Sequence, residues 1–123
     1  MKIYLICPVR LADTETQYKL SEYVKKLESE GHEVYYPRRD TPQDLDDFAV
    51  NAANRDGVRW CDEAHIWYMS ESQGIHFDMG MAFILDKPLY VVHNVLGIDE
   101  YSQSYPEMLY LWEKEYSRVA ATN

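Results

Sequence analysis

Ser72-Gln73-Gly74-Ile75-His76-Phe77-Asp78-Met79-Gly80-Met81-Ala82 decides how this chain is read. A strand-like apolar run, Ala64 to Met69, precedes it, and a second, Leu89 to His93, follows it. A small-residue turn from strand into helix presents backbone N–H groups that can hold an anion. Gly74 and Gly80 let backbone or ligand approach closely. Asp78 falls about one turn into the helix, between Phe77 and Met79, on a face expected to meet the sheet. A carboxylate beside an anion site is a candidate catalytic group. The plainer alternative is an acid complementing the helix dipole.

Outward from this segment, the chain alternates. Ile3 to Cys7 is a continuous apolar run ended by Pro8, as suits a strand covered on both faces. Thr14 to Glu30 has helical spacing, with Tyr18, Leu20, Tyr23, Val24 and Leu27 mostly on one side, and Gly31 stops it. Glu33 to Tyr36 is a second strand ended by Pro37. Arg38 to Thr41 reads as loop, and Thr41-Pro42 as the start of a helix running to Cys61. On that helix Leu45, Phe48, Ala52 and Asp56 share a face, so Asp56 extends an apolar stripe. Asp86-Lys87-Pro88 turns into the fourth strand. Ser104-Tyr105-Pro106 opens a last helix reaching about Arg118, with Tyr105, Leu109, Trp112 and Tyr116 along one side.

This β-α-β-α-β-α-β-α order predicts an α/β fold, a doubly wound Rossmann- or flavodoxin-like parallel sheet, in one domain spanning residues 1–123. The expected strand order is 2-1-3-4, with helices on both faces. Ligands in such sheets bind outside the carboxyl ends of the strands. The loops there are Pro8 to Asp13, Arg38 to Thr41, Ser70 to Gly74 and Asn94 to Ser104.

Composition narrows the function. A formal net charge of −9 argues against nucleic-acid polymers and anionic membranes as partners. Hydrophobic content of 46%, with 14% aromatics, argues against disorder. Cys7 and Cys61 have no paired spacing and read as buried thiols in a reducing compartment. Ile3 to Cys7 is too short for a signal peptide or a membrane span, so a cytoplasmic protein is expected. No His, Cys and Asp grouping has metal-ligand spacing, and neither metal nor cofactor is expected. His65, His93 and the three tryptophans read as packing residues.

The motif order resembles the nucleoside 2-deoxyribosyltransferase-like superfamily, which includes 2′-deoxynucleoside 5′-monophosphate N-hydrolases. Lys2 to Arg10 fits its opening strand and loop, and Gly31-His32-Glu33-Val34 with Pro37 its second strand. Asp56 fits its helix-borne acid, and Ser72 to Ala82 its S-x-G-x-x-[FYW]-E-[LM]-G-x-A segment. Asp78 stands at the Glu position, and Asp86-Lys87-Pro88 fits G-K-P. The family usually has a fifth strand, and no run after His93 reads as one.

The resemblance implies cleavage or transfer of the N-glycosidic bond of a nucleoside or its 5′-monophosphate. By position, Asp78 would face C1′, Asp56 would assist proton transfer at the base, and Tyr4 would orient Asp78. Arg10 and Ser72, with Gly74 and the Cys7-Pro8 turn, would bind substrate or phosphate. His76 is a candidate contact to base or phosphate, or else a structural residue. The chemistry agrees, since departure of a base from C1′ develops oxocarbenium-like charge that a carboxylate stabilises. Asp is shorter than Glu by roughly 1.5 Å, one carbon–carbon bond. A non-catalytic nucleotide sensor and an NAD-cleaving relative are the alternatives. A homodimer or higher oligomer is expected, because neighbouring subunits often complete the site in this family.

Overall fold

The computed structural model describes residues 1–93 and 105–116. Strand β1 (Lys2–Ile6) leads to helix α1 (Thr14–Ser29), β2 (Glu33–Tyr35), the short α2 (Pro37–Asp40) and α3 (Asp47–Trp60). Then come β3 (Glu63–Trp67), α4 (Gln73–Ile84), β4 (Leu89–His93) and α5 (Tyr105–Tyr116). The sheet order is β2-β1-β3-β4 and every pairing is parallel, as the alternation predicts. Among the described residues the sheet has four strands.

Period-two alternation along β1 divides the core. Ile3 and Leu5 face α1, where they pack with Leu20, Val24, Leu27 and Val34. Tyr4 and Ile6 face the opposite layer, with Val58 of α3, Ile75 and Met79 of α4, and Leu109 and Trp112 of α5. Tyr4 is paired with Tyr35 on one side and Ala64 on the other, so it sits at the middle of the sheet.

The helices start where local chemistry caps them. Asp13 accepts from the Thr16 N–H, Asp46 from Ala49 and Ser72 from Ile75, so each start has a short polar acceptor. Gly31, at φ +93°, closes the first helix. At the end of α4 a non-glycine residue does the equivalent job, Asp86 at φ +54°. This is the position where the motif has Gly, and the left-handed conformation explains why.

Several sequence expectations are corrected. Tyr18 points to solvent, while Leu20, Val24 and Leu27 form the buried face of α1. Arg38 and Arg39 belong to a helical turn: Pro37 occupies its first position, and Asp40 reaches back to the Tyr36 N–H at 2.8 Å. Thr41 therefore ends α2 and is buried, and the next helix begins after Asp46. Leu45 precedes that helix and Phe48 is 81% exposed, so the stripe they seemed to define is not a core face. Val50, Asn54, Gly57, Val58 and Cys61 mark the inward face instead. On α5, Leu109 and Trp112 are buried, whereas Tyr105 and Tyr116 are exposed. The expected loop Asn94 to Ser104 and the end of the last helix at Arg118 lie outside the described residues.

Candidate active site

A cleft of about 570 Å³ opens at the carboxyl ends of β1 and β3, between the loop after β1, α3 and the start of α4. Asp78 lies in it, only 6% exposed. The hydroxyl of Tyr4 donates to Asp78 Oδ2 at 3.0 Å. Asp78 Oδ1 is buried and has no hydrogen-bond partner among the described residues. A buried carboxylate oxygen without a donor is costly unless something else meets it. Burial pushes the Asp78 carboxyl up to about 7, against the Tyr4 hydrogen bond, which pulls it down. Burial likewise raises the Tyr4 phenol, and the Asp78 charge and hydrogen bond add to it. Tyr4 thus stays a proton donor to Asp78 throughout the neutral range.

Tyr4 is held from both sides. Its ring stacks on Tyr35, with centroids 5.3 Å apart. The Tyr35 hydroxyl meets Thr41 Oγ1 at 2.6 Å, and Thr41 donates to Asn54 Oδ1 at 2.7 Å. This chain fixes the carboxamide of Asn54, a buried residue lining the cleft.

Asp56 does not join the site. Two residues along α3 from Asn54 is roughly 200° around the helix, which turns Asp56 to the opposite side. Its side chain is 70% exposed and pairs with Arg55 at 3.7 Å and Arg59 at 3.8 Å. The buried cleft-lining position on this helix is an amide, Asn54. The recurrence of Val50, Asn54, Gly57 and Val58 was the signal in the sequence that marks Asn54 rather than Asp56.

Of the other candidate residues, Cys7, Arg10, Ser72 and Gly74 line the cleft. Cys7 is an unbridged thiol pushed well up by burial and by the nearby Asp78 charge, with Arg38 opposing. It is therefore a neutral wall rather than a nucleophile. Arg10 stands at the mouth, exposed, with Nη2 3.4 Å from Asp47 Oδ1. Ser72 caps α4 through Ile75 N–H at 3.2 Å, so its hydroxyl already has a task. Pro8 is buried behind the loop and is not among the lining residues. His76 faces away from the cleft. Its Nδ1–H donates to the Ser72 carbonyl at 2.7 Å, its Nε2 accepts from the Tyr68 hydroxyl at 3.0 Å, and its ring packs edge-on against Tyr105. Its geometry is that of a structural histidine. Reasoning from sequence missed Asn54, Thr41, Phe77 and the amide Asn51, which all belong to the cleft or its support.

Among the described residues no group of His, Cys, Asp and Glu has the arrangement to hold a metal, and no helix is long and apolar enough to cross a membrane.

No family model matches the sequence, and no curated protein sequence matches it. The fold has solved neighbours. A 2-deoxyribosyltransferase from the psychrotolerant bacterium Bacillus psychrosaccharolyticus superposes with a TM-score of 0.65 at 21% identity, over 80% of this chain and 77% of that one. The CMP N-glycosidase BcmB of Clostridium botulinum superposes with a TM-score of 0.63 at 18% identity, over 95% of this chain and 83% of that one. Both neighbours belong to the nucleoside 2-deoxyribosyltransferase-like superfamily, and this chain shares their fold.

Proposed function

We propose that this chain breaks or transfers the N-glycosidic bond of a nucleoside or nucleotide, with Asp78 facing C1′. The observation that carries the reading is the free, buried Oδ1 of Asp78, on a carboxylate anchored through its other oxygen by Tyr4. Such an oxygen meets no donor among the described residues, and positive charge developing on a sugar ring is a fitting partner for it. The two solved neighbours, a deoxyribosyltransferase and a CMP N-glycosidase, make the same reaction class the leading one.

Asp78 would act in its ionised form, either by bonding to C1′ or by stabilising attack of water. Tyr4 would position it. The backbone N–H groups of Gln73 and Gly74, at the start of α4, would receive the anionic end of a monophosphate together with Arg10. Such a chain would need no cofactor, and its partners would be small molecules and a second copy of itself.

The test is incubation with (deoxy)nucleosides, their 5′-monophosphates and NAD, with detection of free base. Release from wild type that disappears in Asp78→Asn supports the reading. Binding of these ligands without release of base would make the chain a nucleotide sensor instead.

A further inference from the structure

Among the described residues, the walls around Asp78 hold no second buried carboxyl. Asn54 is the buried polar residue that α3 presents to the cleft, and its oxygen is committed to Thr41. The other polar groups of that wall, Gln43 and Asn51, are also amides. A carboxamide neither gives nor takes a proton at neutral pH. The remaining lining acids, Asp47 and Glu71, stand exposed at the mouth. Among the described residues the lining thus carries Asp47, Glu71 and Asp78 against one cation, Arg10, which already pairs with Asp47, while Arg38 stands beside the lining and donates to the Val9 carbonyl.

Resting on the N-glycosidic reading, we propose that the substrate carries its positive charge on the base: an N-ribosyl pyridinium or an N-alkylated purine nucleoside. When the C1′–N bond of such a substrate breaks, its electron pair passes to the ring nitrogen and cancels the charge there. The base leaves neutral without a proton from the protein. Water then supplies the hydroxyl to C1′, and one proton is released to solvent per bond cleaved. A neutral base would have to leave as an anion or be protonated from the wall that Asn54 occupies. General acid assistance is commonly worth roughly 10²-fold or more. The acidic lining attracts the cation as it enters.

The experiment compares base release from nicotinamide riboside and N7-methylguanosine with release from inosine and uridine, using the full chain at neutral pH. The two cationic substrates should turn over at least roughly 10²-fold faster, after subtraction of their uncatalysed decay. Asn54→Asp supplies the missing acid. It should narrow that ratio at least tenfold and give turnover of the neutral substrates a new fall at high pH. Equal wild-type turnover of neutral and cationic substrates overturns the proposal, as does an unchanged ratio in a folded Asn54→Asp variant. If that variant does not fold, the wild-type ratio decides alone. Absence of release from all four substrates overturns the N-glycosidic reading itself, and this proposal with it.

Discussion

Gly57 of α3 packs closely against the ring of Tyr4. A methyl group at position 57 would stand 2.9 Å from Tyr4 Cε2 and 3.2 Å from Tyr35 Cδ1. The glycine is therefore a clearance for the stacked pair beneath Asp78, in a helix interior where glycine is otherwise unfavourable.

Gly57→Ala follows directly. Alanine gains about 1 kcal/mol in helix propensity. Overpacking against two rigid rings costs about 1–3 kcal/mol and wins. Melting temperature should fall, and base release should fall at least roughly tenfold as the Tyr4–Asp78 geometry slips. A variant as stable and as active as wild type would show that the clearance is unnecessary.

Tyr4→Phe removes the donor to Asp78 Oδ2. That hydrogen bond favours the ionised carboxyl, so its loss raises the Asp78 pKa further from about 7. In the proposed reaction the ionised form is the working one, so kcat/KM of wild type should rise with pH through about 7, and the rise should move upward in Tyr4→Phe. A merely structural loss would lower the profile equally at every pH.

Asp78 also makes stability depend on pH. Its carboxyl goes from 3.8 to about 7 on folding. Between those values the unfolded chain has lost the proton while the folded chain retains it, so the folded state binds more protons and stability falls as pH rises. Above about 7 the loss is complete and constant. Asp78→Asn should therefore match wild type near pH 4 and exceed it by a few kcal/mol at pH 8, read by urea titration at each pH. A parallel pH dependence for both proteins would remove burial as the cause.

Arg10→Ala should weaken a nucleoside 5′-monophosphate by about tenfold and leave the nucleoside unaffected, in calorimetric titration at low salt. The Asp47 pair is exposed and weak enough for a phosphate to displace it. Equal losses for both ligands would show that Arg10 does not read phosphate.

Self-association should be visible in solution. Phe77, Phe83 and Ile84 on α4 are more than half exposed, and Tyr110 and Leu111 on α5 are close to half exposed. Sedimentation should give at least twice 14.5 kDa. A stable monomer at micromolar concentration removes the idea.

Strand order was legible because four apolar runs separated by helical spacings leave little choice of topology. Asp78 was legible because it lies in a strongly patterned segment, whereas Tyr4, one of 11 tyrosines, was singled out only by the family resemblance. Asp56 was misread because Leu45 and Phe48 imitate an apolar stripe before and at the helix start, which shifts the apparent inward face. Phe48 is exposed beside the cleft mouth residue Asp47, where hydrophobicity carries no information about the core. The Tyr35–Thr41–Asn54 chain could not be read at all, since it joins three elements whose relative placement only the folded sheet determines.

The half-satisfied carboxylate of Asp78 has an evolutionary consequence. It is a standing liability to the folded state above acidic pH, and a single base change to an amide codon relieves it. In a lineage released from turnover, drift toward greater robustness would reach this codon early, and the rest of the sheet could persist unaltered. On the proposed function, descendants of this chain that hold Asn or a small apolar residue at 78 above an intact Tyr4 would be read as retired enzymes, and directed selection for heat resistance alone should generate them in the laboratory.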